Sequence, residues 1–310
     1  MSRFNVSVLL ATALLGVLLW VVISIVAEVS NPTPLVTGSE TTAPAPDPAL
    51  PRILDMPALE SWVAEGGASA TRALNQYRDW LAERGYPPAR DLLTGAAVAD
   101  AVWAEQDDAT LLVIAGRGDL AALHTLAERS IASDPRAALD WYDQAVINGS
   151  LYAMLRISDL LATLGDPALA AFNQDTQWQQ ALAELNAADP PPLERSLAWA
   201  IGAVYVGGFG IVDPRLASRI RSLSGQLDEF AVERACEAAQ DLVLETAAAR
   251  RARGGAVFSM QRPRFAVSVA DPAGLVPCSV RVPPLVDMGD CEHTDFVGPG
   301  QQLLQAWYCP

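Results

Sequence analysis

Apolar positions recur along this 310-residue chain in three different ways. Residues 6–27 form an apolar run broken only by Ser7, Thr12 and Ser24, and no charge falls within it. Wound as a helix at ~1.5 Å per residue, such a run spans ~33 Å and reaches across a hydrocarbon core. From about residue 54 to 255 the spacing turns helical, with apolar side chains three and four apart. Beyond Gly255 a period of two sets in at Arg264–Val269 and again at Cys278–Val282, with Asp271-Pro272-Ala273-Gly274 between them. That pattern predicts a β-hairpin closed by turn chemistry.

Within the helical stretch, Leu74, Tyr77, Trp80 and Leu81 mark a lead-in helix that Gly85 and Pro87-Pro88 stop. Asp-Pro pairs at 134–135, 166–167 and 213–214 read as helix starts, because Asp accepts from free first-turn amides and Pro fits the first turn. The first two pairs lie 32 residues apart, and Gly118 and Gly149 lie 31 apart, which is the length of one helical hairpin. Between Ala171 and Pro192 an insertion lengthens the next unit, and the proline run at its end precedes a fresh helix at Glu194. A closing helix is predicted over Asp228–Arg253, with an apolar face of Phe230, Ala231, Ala235, Ala238, Leu242 and Leu244. Arg250, Arg251 and Arg253 gather at its end, where cations complement the helix dipole, and Gly254-Gly255 terminates it.

Across the junction of two predicted helices the chain carries Ala138, Trp141, Tyr142, Ala145, Gly149 and Ala153. Further on stand Ile201-Gly202, Tyr205, Gly208-Phe209-Gly210-Ile211, Asp213 and Ala217. In spacing and type these residues resemble the two halves of the Sel-one-like repeat, a branch of the tetratricopeptide-like solenoids. The resemblance covers about residues 118–226, and Ser158 and Ala127 stand where that family has glycine. It implies an α-solenoid of helical hairpins that binds another protein on its concave face, lined by the first helix of each hairpin. By position this nominates His124, Tyr152, Arg156, Trp199 and Tyr205 as binding residues, while Trp141 and Tyr142 are assigned to the core between hairpins.

Composition then narrows the function classes. Hydrophobic residues make up 51% of the chain and its mean hydropathy is +0.20, in keeping with one membrane segment on an otherwise globular chain. Arg3 lies before the apolar run and Glu28 and Glu40 after it, so the positive-inside rule keeps the N-terminus in the cytoplasm. The run is longer than a cleavable signal usually carries, and Ile25 is bulky for the position three residues before a cut at Ala27, so an uncleaved anchor is expected. Residues 31–52, rich in Pro, Thr and Ala, read as a spacer lifting the folded part off the bilayer. The net charge is −15, and no basic surface for tracking phosphates is expected, which argues against a nucleic-acid ligand.

Cys236, Cys278, Cys291 and Cys309 suit two disulfides in an extracytoplasmic compartment, with three connectivities open. The short loop favours Cys278–Cys291, leaving Cys236–Cys309 to pin the C-terminus to the closing helix. A metal site of Cys278, Cys291, His293 and Asp295 or Cys309 is the alternative, but no Cys-x-x-Cys spacing supports it. No nucleophile–base constellation or cofactor loop emerges, and Gly207–Gly210 lacks the lysine of a phosphate loop, so neither cofactor nor catalytic residue is assigned. The expected whole is mainly α: a transmembrane anchor (1–28), a Pro-rich linker (29–53), a helical-repeat domain (54–255) and a small disulfide-bonded β-hairpin module (256–310). The expected role is an inner-membrane, single-pass scaffold that binds a protein partner in the periplasm. The alternative is a cell-envelope hydrolase with a site between solenoid and C-terminal module.

Overall fold

A computed structural model describes residues 59–86, 103, 105–166, 175–255, 258, 261–269, 274–280, 284–297 and 303–309. The expected anchor and linker lie outside the described residues. Among the described residues, no helix is long and apolar enough to cross a membrane. All of them belong to one compact unit, Pro51–Pro310.

The chain is mainly helical. Its helices are α1 (Leu59–Ala82, interrupted at Gly67), α2 (Asp108–Ala115), α3 (Leu120–Ser130), α4 (Pro135–Ile147) and α5 (Leu151–Leu164). They continue as α6 (Thr176–Asn186), α7 (Pro192–Gly207), α8 (Pro214–Gln226) and α9 (Glu229–Ala252). Most of their starts share one residue type. Asp107, Asp119, Asp134, Asp175, Asp213 and Asp228 each accept a first-turn amide with the side chain, and Ser150 does so for α5. Each such cap is worth ~1 kcal/mol relative to alanine. Pro135 and Pro214 occupy the first helical position behind their aspartates, as the Asp-Pro pairs predict, whereas Pro167 lies outside the described residues. The insertion after Ala171 contributes α6, whose Trp178 and Leu182 join Ala138, Leu160 and Leu164 in a small core of their own.

Successive helices from α2 to α5 pack on one another, and α7 then lies between α5 and α9. Small residues permit these approaches. A methyl group added at Gly202 would stand 3.1 Å from Leu242 and 3.3 Å from Met154, so the crossing leaves little room for one. Ser158 and Ser196 join α5 to α7 by reciprocal bonds, each hydroxyl donating to the other residue's carbonyl at 2.8 and 2.7 Å. Both serines are buried, and each satisfies a group that burial would otherwise leave bare.

Helix α9 runs as predicted, but its phase differs from expectation. Ala231, Ala235, Cys236 and Ala239 face the core, while Phe230 is 79% and Leu244 67% exposed. Small residues take most of the inner face, and where the larger Leu242 meets α7 the room is made by Gly202. Arg250 turns inward, donates to the carbonyl of Ile147 at the end of α4 (3.0 Å) and lies over the Phe258 ring. A Cβ on Gly149 would stand 2.8 Å from that guanidinium, and the backbone there has φ 112°, so the α4–α5 turn accepts glycine for two separate reasons.

The C-terminal strands are β1 (Phe265–Val269), β2 (Glu292–Val297) and β3 (Leu303–Tyr308), in antiparallel order β1-β3-β2. This corrects the expected hairpin: β1 pairs with residues 303–308, Phe265 opposite Tyr308, and not with the tract after Cys278. The disulfides explain the difference, and they too depart from expectation. Cys236 bonds Cys278, and Cys291 bonds Cys309. The first bond holds the 278 tract against α9 and away from β1, and the second ties the start of β2 to the end of β3. Nor do the strands cover a core separate from that of the helices. Phe265, Ala266, Val269 and Ala306 share one hydrophobic cluster with Tyr142, Leu151 and Leu197.

The end of α1 is where these parts meet. The Arg84 carbonyl accepts the amides of Leu151 (2.9 Å) and Tyr152 (3.3 Å), the first two of α5. Gly85 follows at φ 78°, and a Cβ there would lie 2.3 Å from the Ser150 hydroxyl. Gly85→Ala should therefore destabilise the fold by ~2–4 kcal/mol in chemical denaturation, combining a positive-φ cost with a clash. Gly225→Ala on α8, with open space around it, should be neutral or stabilising by up to ~1 kcal/mol. Equal midpoints for the two variants would contradict this packing.

Candidate functional site

Helix α5 carries its polar side chains on the edge that faces the start of α8. Tyr152, Leu155, Arg156 and Asp159 look across a groove of about 460 Å³ at Asp213, Arg215, Ser218 and Arg219. Asp213 is spent as the α8 cap, accepting from Leu216 N at 2.8 Å. A chain of ion pairs links Glu128 outside the groove to the residues lining it: Arg156 to Glu128 at 2.7 Å, Arg156 to Asp159 at 3.5 Å, and Arg219 to Asp159 at 2.7 Å. Tyr142, fully buried, donates its hydroxyl to Glu128 and fixes that carboxylate from below. Burial opposes the Arg156 charge, but Tyr142 and Glu128 outweigh it and hold the guanidinium firmly protonated.

The sequence-nominated residues separate into two groups. His124, Tyr152 and Arg156 come together: the His124 and Tyr152 rings are 5.2 Å apart, and Tyr152 and Arg156 both line the groove. Tyr205 faces elsewhere, with its hydroxyl on Cys278 Sγ (3.4 Å) and its carbonyl accepting from Leu285 N (2.6 Å). Trp199 is partly buried against the main core and is not among the groove-lining residues. Asp159, Arg215 and Arg219 were not nominated. The signal for the arginines was present, because α8 reads PRLASRIRSLSGQ, three arginines and no acid in a chain of net charge −15.

His124 also meets a serine. Its Nε2 lies 2.9 Å from Ser150 Oγ, a distance that suits a nucleophile and its base. Ser150, however, is fully buried, and its oxygen already accepts the Ala153 amide at 2.9 Å as the cap of α5. The pair is therefore a joint between α3 and α5, with no path for a substrate to the hydroxyl. Burial, and then the Arg156 charge, lower the His124 pKa from 6.5 to about 4, so the imidazole is neutral at ordinary pH. His293 is exposed on β2, its ring tilted against that of Trp307 with centroids 5.0 Å apart, and lines neither this groove nor the one around Arg262, Arg264 and Asp287. The alternative metal site is excluded in its proposed form, because Cys278, Cys291 and Cys309 are all consumed in disulfides.

Compared with protein-family models, with curated proteins and with solved structures, the chain finds no match in any of the three.

The buried imidazole makes a pH prediction. Its folded pKa lies below its unfolded one, so as pH falls from 6.5 towards 4 the unfolded chain takes up a proton that the folded chain refuses. Stability conferred by the neutral His124 is fully present above pH 6.5 and is lost on acidification, by up to ~3 kcal/mol. In denaturation midpoints measured from pH 7.5 to 4.5, His124→Gln should show a shallower acid decline than the parent. Parallel curves would show that His124 titrates as it would in water.

Proposed function

We propose that the protein is a membrane-anchored, extracytoplasmic helical-repeat scaffold that binds a protein partner through the groove between α5 and α8. The observation that carries this reading is the groove itself. It combines an aromatic ring, Tyr152, with Arg156, Arg215 and Arg219, residue types over-represented at energetic centres of protein interfaces. A groove open to solvent suits a peptide segment better than an enclosed small molecule. The helical part is read as divergent repeats of the Sel-one-like kind. The α4–α5 hairpin, turning at Gly149 with Tyr142 buried between helices, and the Gly208–Asp213 turn into α8 support that reading. Membrane attachment rests on the uncharged run of residues 6–27, and placement outside the cytoplasm on the charge balance around it together with two disulfides.

Two experiments test the reading separately. Carbonate extraction should leave the full chain with the membrane and release a form lacking residues 1–28; a full chain that washes off would remove the anchor from the account. A photo-crosslinking residue at Ser218, exposed on the groove, should give discrete protein adducts in intact cells, and Arg215→Glu with Arg219→Glu should abolish them. The same crosslinker at Ser133, at the exposed start of α4, should give none. Identical adduct patterns from both positions, or none from Ser218, would count against the groove.

A further inference from the structure

The outer face of α9 combines two features that a solvated helix face does not need. Glu229, Glu233, Glu237, Asp241 and Glu245 follow one another at four-residue spacing, so each carboxylate has a like charge one turn away. Such an arrangement disfavours the helix it sits on. Among the described residues none of Glu229, Glu237, Asp241 or Glu245 takes part in an ion pair, and Glu233 accepts from the Ser279 hydroxyl at 2.6 Å. Set into the same face are Phe230 and Leu244, 79% and 67% exposed. At about 100° per residue the acidic stripe sweeps about 160° of the helix, and Phe230 and Leu244 fall inside that arc, about 100° and 60° round from Glu229. Val280, 63% exposed and next to Ser279, extends the apolar surface beside Glu233.

The two large apolar residues lie about 21 Å apart along the axis, with carboxylates between them. We infer that this face docks a basic amphipathic helix of a partner protein, whose apolar side chains cover Phe230 and Leu244 and whose Arg or Lys side chains meet Glu237 and Asp241. Charge complementarity selects the sign of the occupant, and the spacing sets its length at four helical turns. The chain's own arginine-bearing helix fits poorly. The exposed side chains of α8 are Arg215, Ser218, Arg221, Ser222 and Gln226, with no large apolar residue to set against Phe230 or Leu244. The inference stands on α9 and does not depend on the α5–α8 groove.

The test uses the full chain in detergent and two synthetic 18-residue helical peptides with the same apolar positions, one arginine-rich and one glutamate-rich. By fluorescence anisotropy the arginine peptide should bind and the glutamate peptide should not, and binding should weaken as salt rises. Glu237→Arg with Asp241→Arg should weaken binding at least tenfold, and Phe230→Ser with Leu244→Ser should do the same. Glu105→Arg with Asp140→Arg, an equal change in net charge on other exposed positions, should weaken it less than twofold. Glu237→Arg with Asp241→Arg should melt no lower than the parent, which separates lost binding from lost folding. Equal loss in the control variant would reduce the effect to net charge and overturn the proposal. So would loss of binding only on charge reversal with Phe230 and Leu244 dispensable, or sedimentation showing a dimer that the α9 variants dissociate.

Discussion

The first amides of α5 have no partner inside their own helix, and the chain meets them from two directions at once. The Arg84 carbonyl takes the amides of Leu151 and Tyr152, and the Ser150 hydroxyl takes that of Ala153. Ser150 is in turn steadied by His124 and overlaid by Gly85. Arg84 is buried, stacked on the Trp80 ring at 3.9 Å and donating to the Trp80 carbonyl, while both Arg84 and Trp80 donate to the Gln261 carbonyl. One turn earlier the Tyr77 hydroxyl sits between the carbonyls of Gly210 and Val267. Ten residues of α1 and its exit thus hold α3, α5, the turn before α8 and β1 in one arrangement.

Around that joint the packing follows from residue size. Helix α7 is buried along almost its whole length, with Ser196 set against Ser158 of α5 and Gly202 set against Met154 of α5 and Leu242 of α9. Where α7 buries a carboxylate, Glu194, the burial is compensated by a two-pronged bond from Arg234 of α9 at 3.0 and 2.6 Å. Ala231, Ala235 and Ala239 take the inner face of α9 together with Leu242, and Phe230 and Leu244 stand on the outer one.

Helix starts, the Gly149 turn, the lead-in helix and the two-residue period of β1 were legible, because caps, glycines and hydrophobic spacing act locally. What escaped is what depends on partners distant in sequence. The short Cys278–Cys291 loop suggested a local bond, but α9 holds Cys278 beside Cys236, and β2–β3 pairing brings Cys291 to Cys309. Arg250 read as a helix-end cation of α9, and it caps α4 instead. The phase of α9 was misjudged because residue type suggests that Phe and Leu turn inward, while packing against α7 decides which residues do. Of the candidate site, Tyr152 and Arg156 followed from hairpin position. Arg215 and Arg219 required knowing that α8 folds back beside α5.

The end of α1 binds helices and strands into one cooperative body. Hydrogen exchange on Trp80→Ala, a change costing ~3–5 kcal/mol at such a site, tests it most directly. Amide protection should fall together at Leu151–Ala153 and at Phe265–Val269. Loss at one segment with parental protection at the other would show two independently stable parts, and would contradict it.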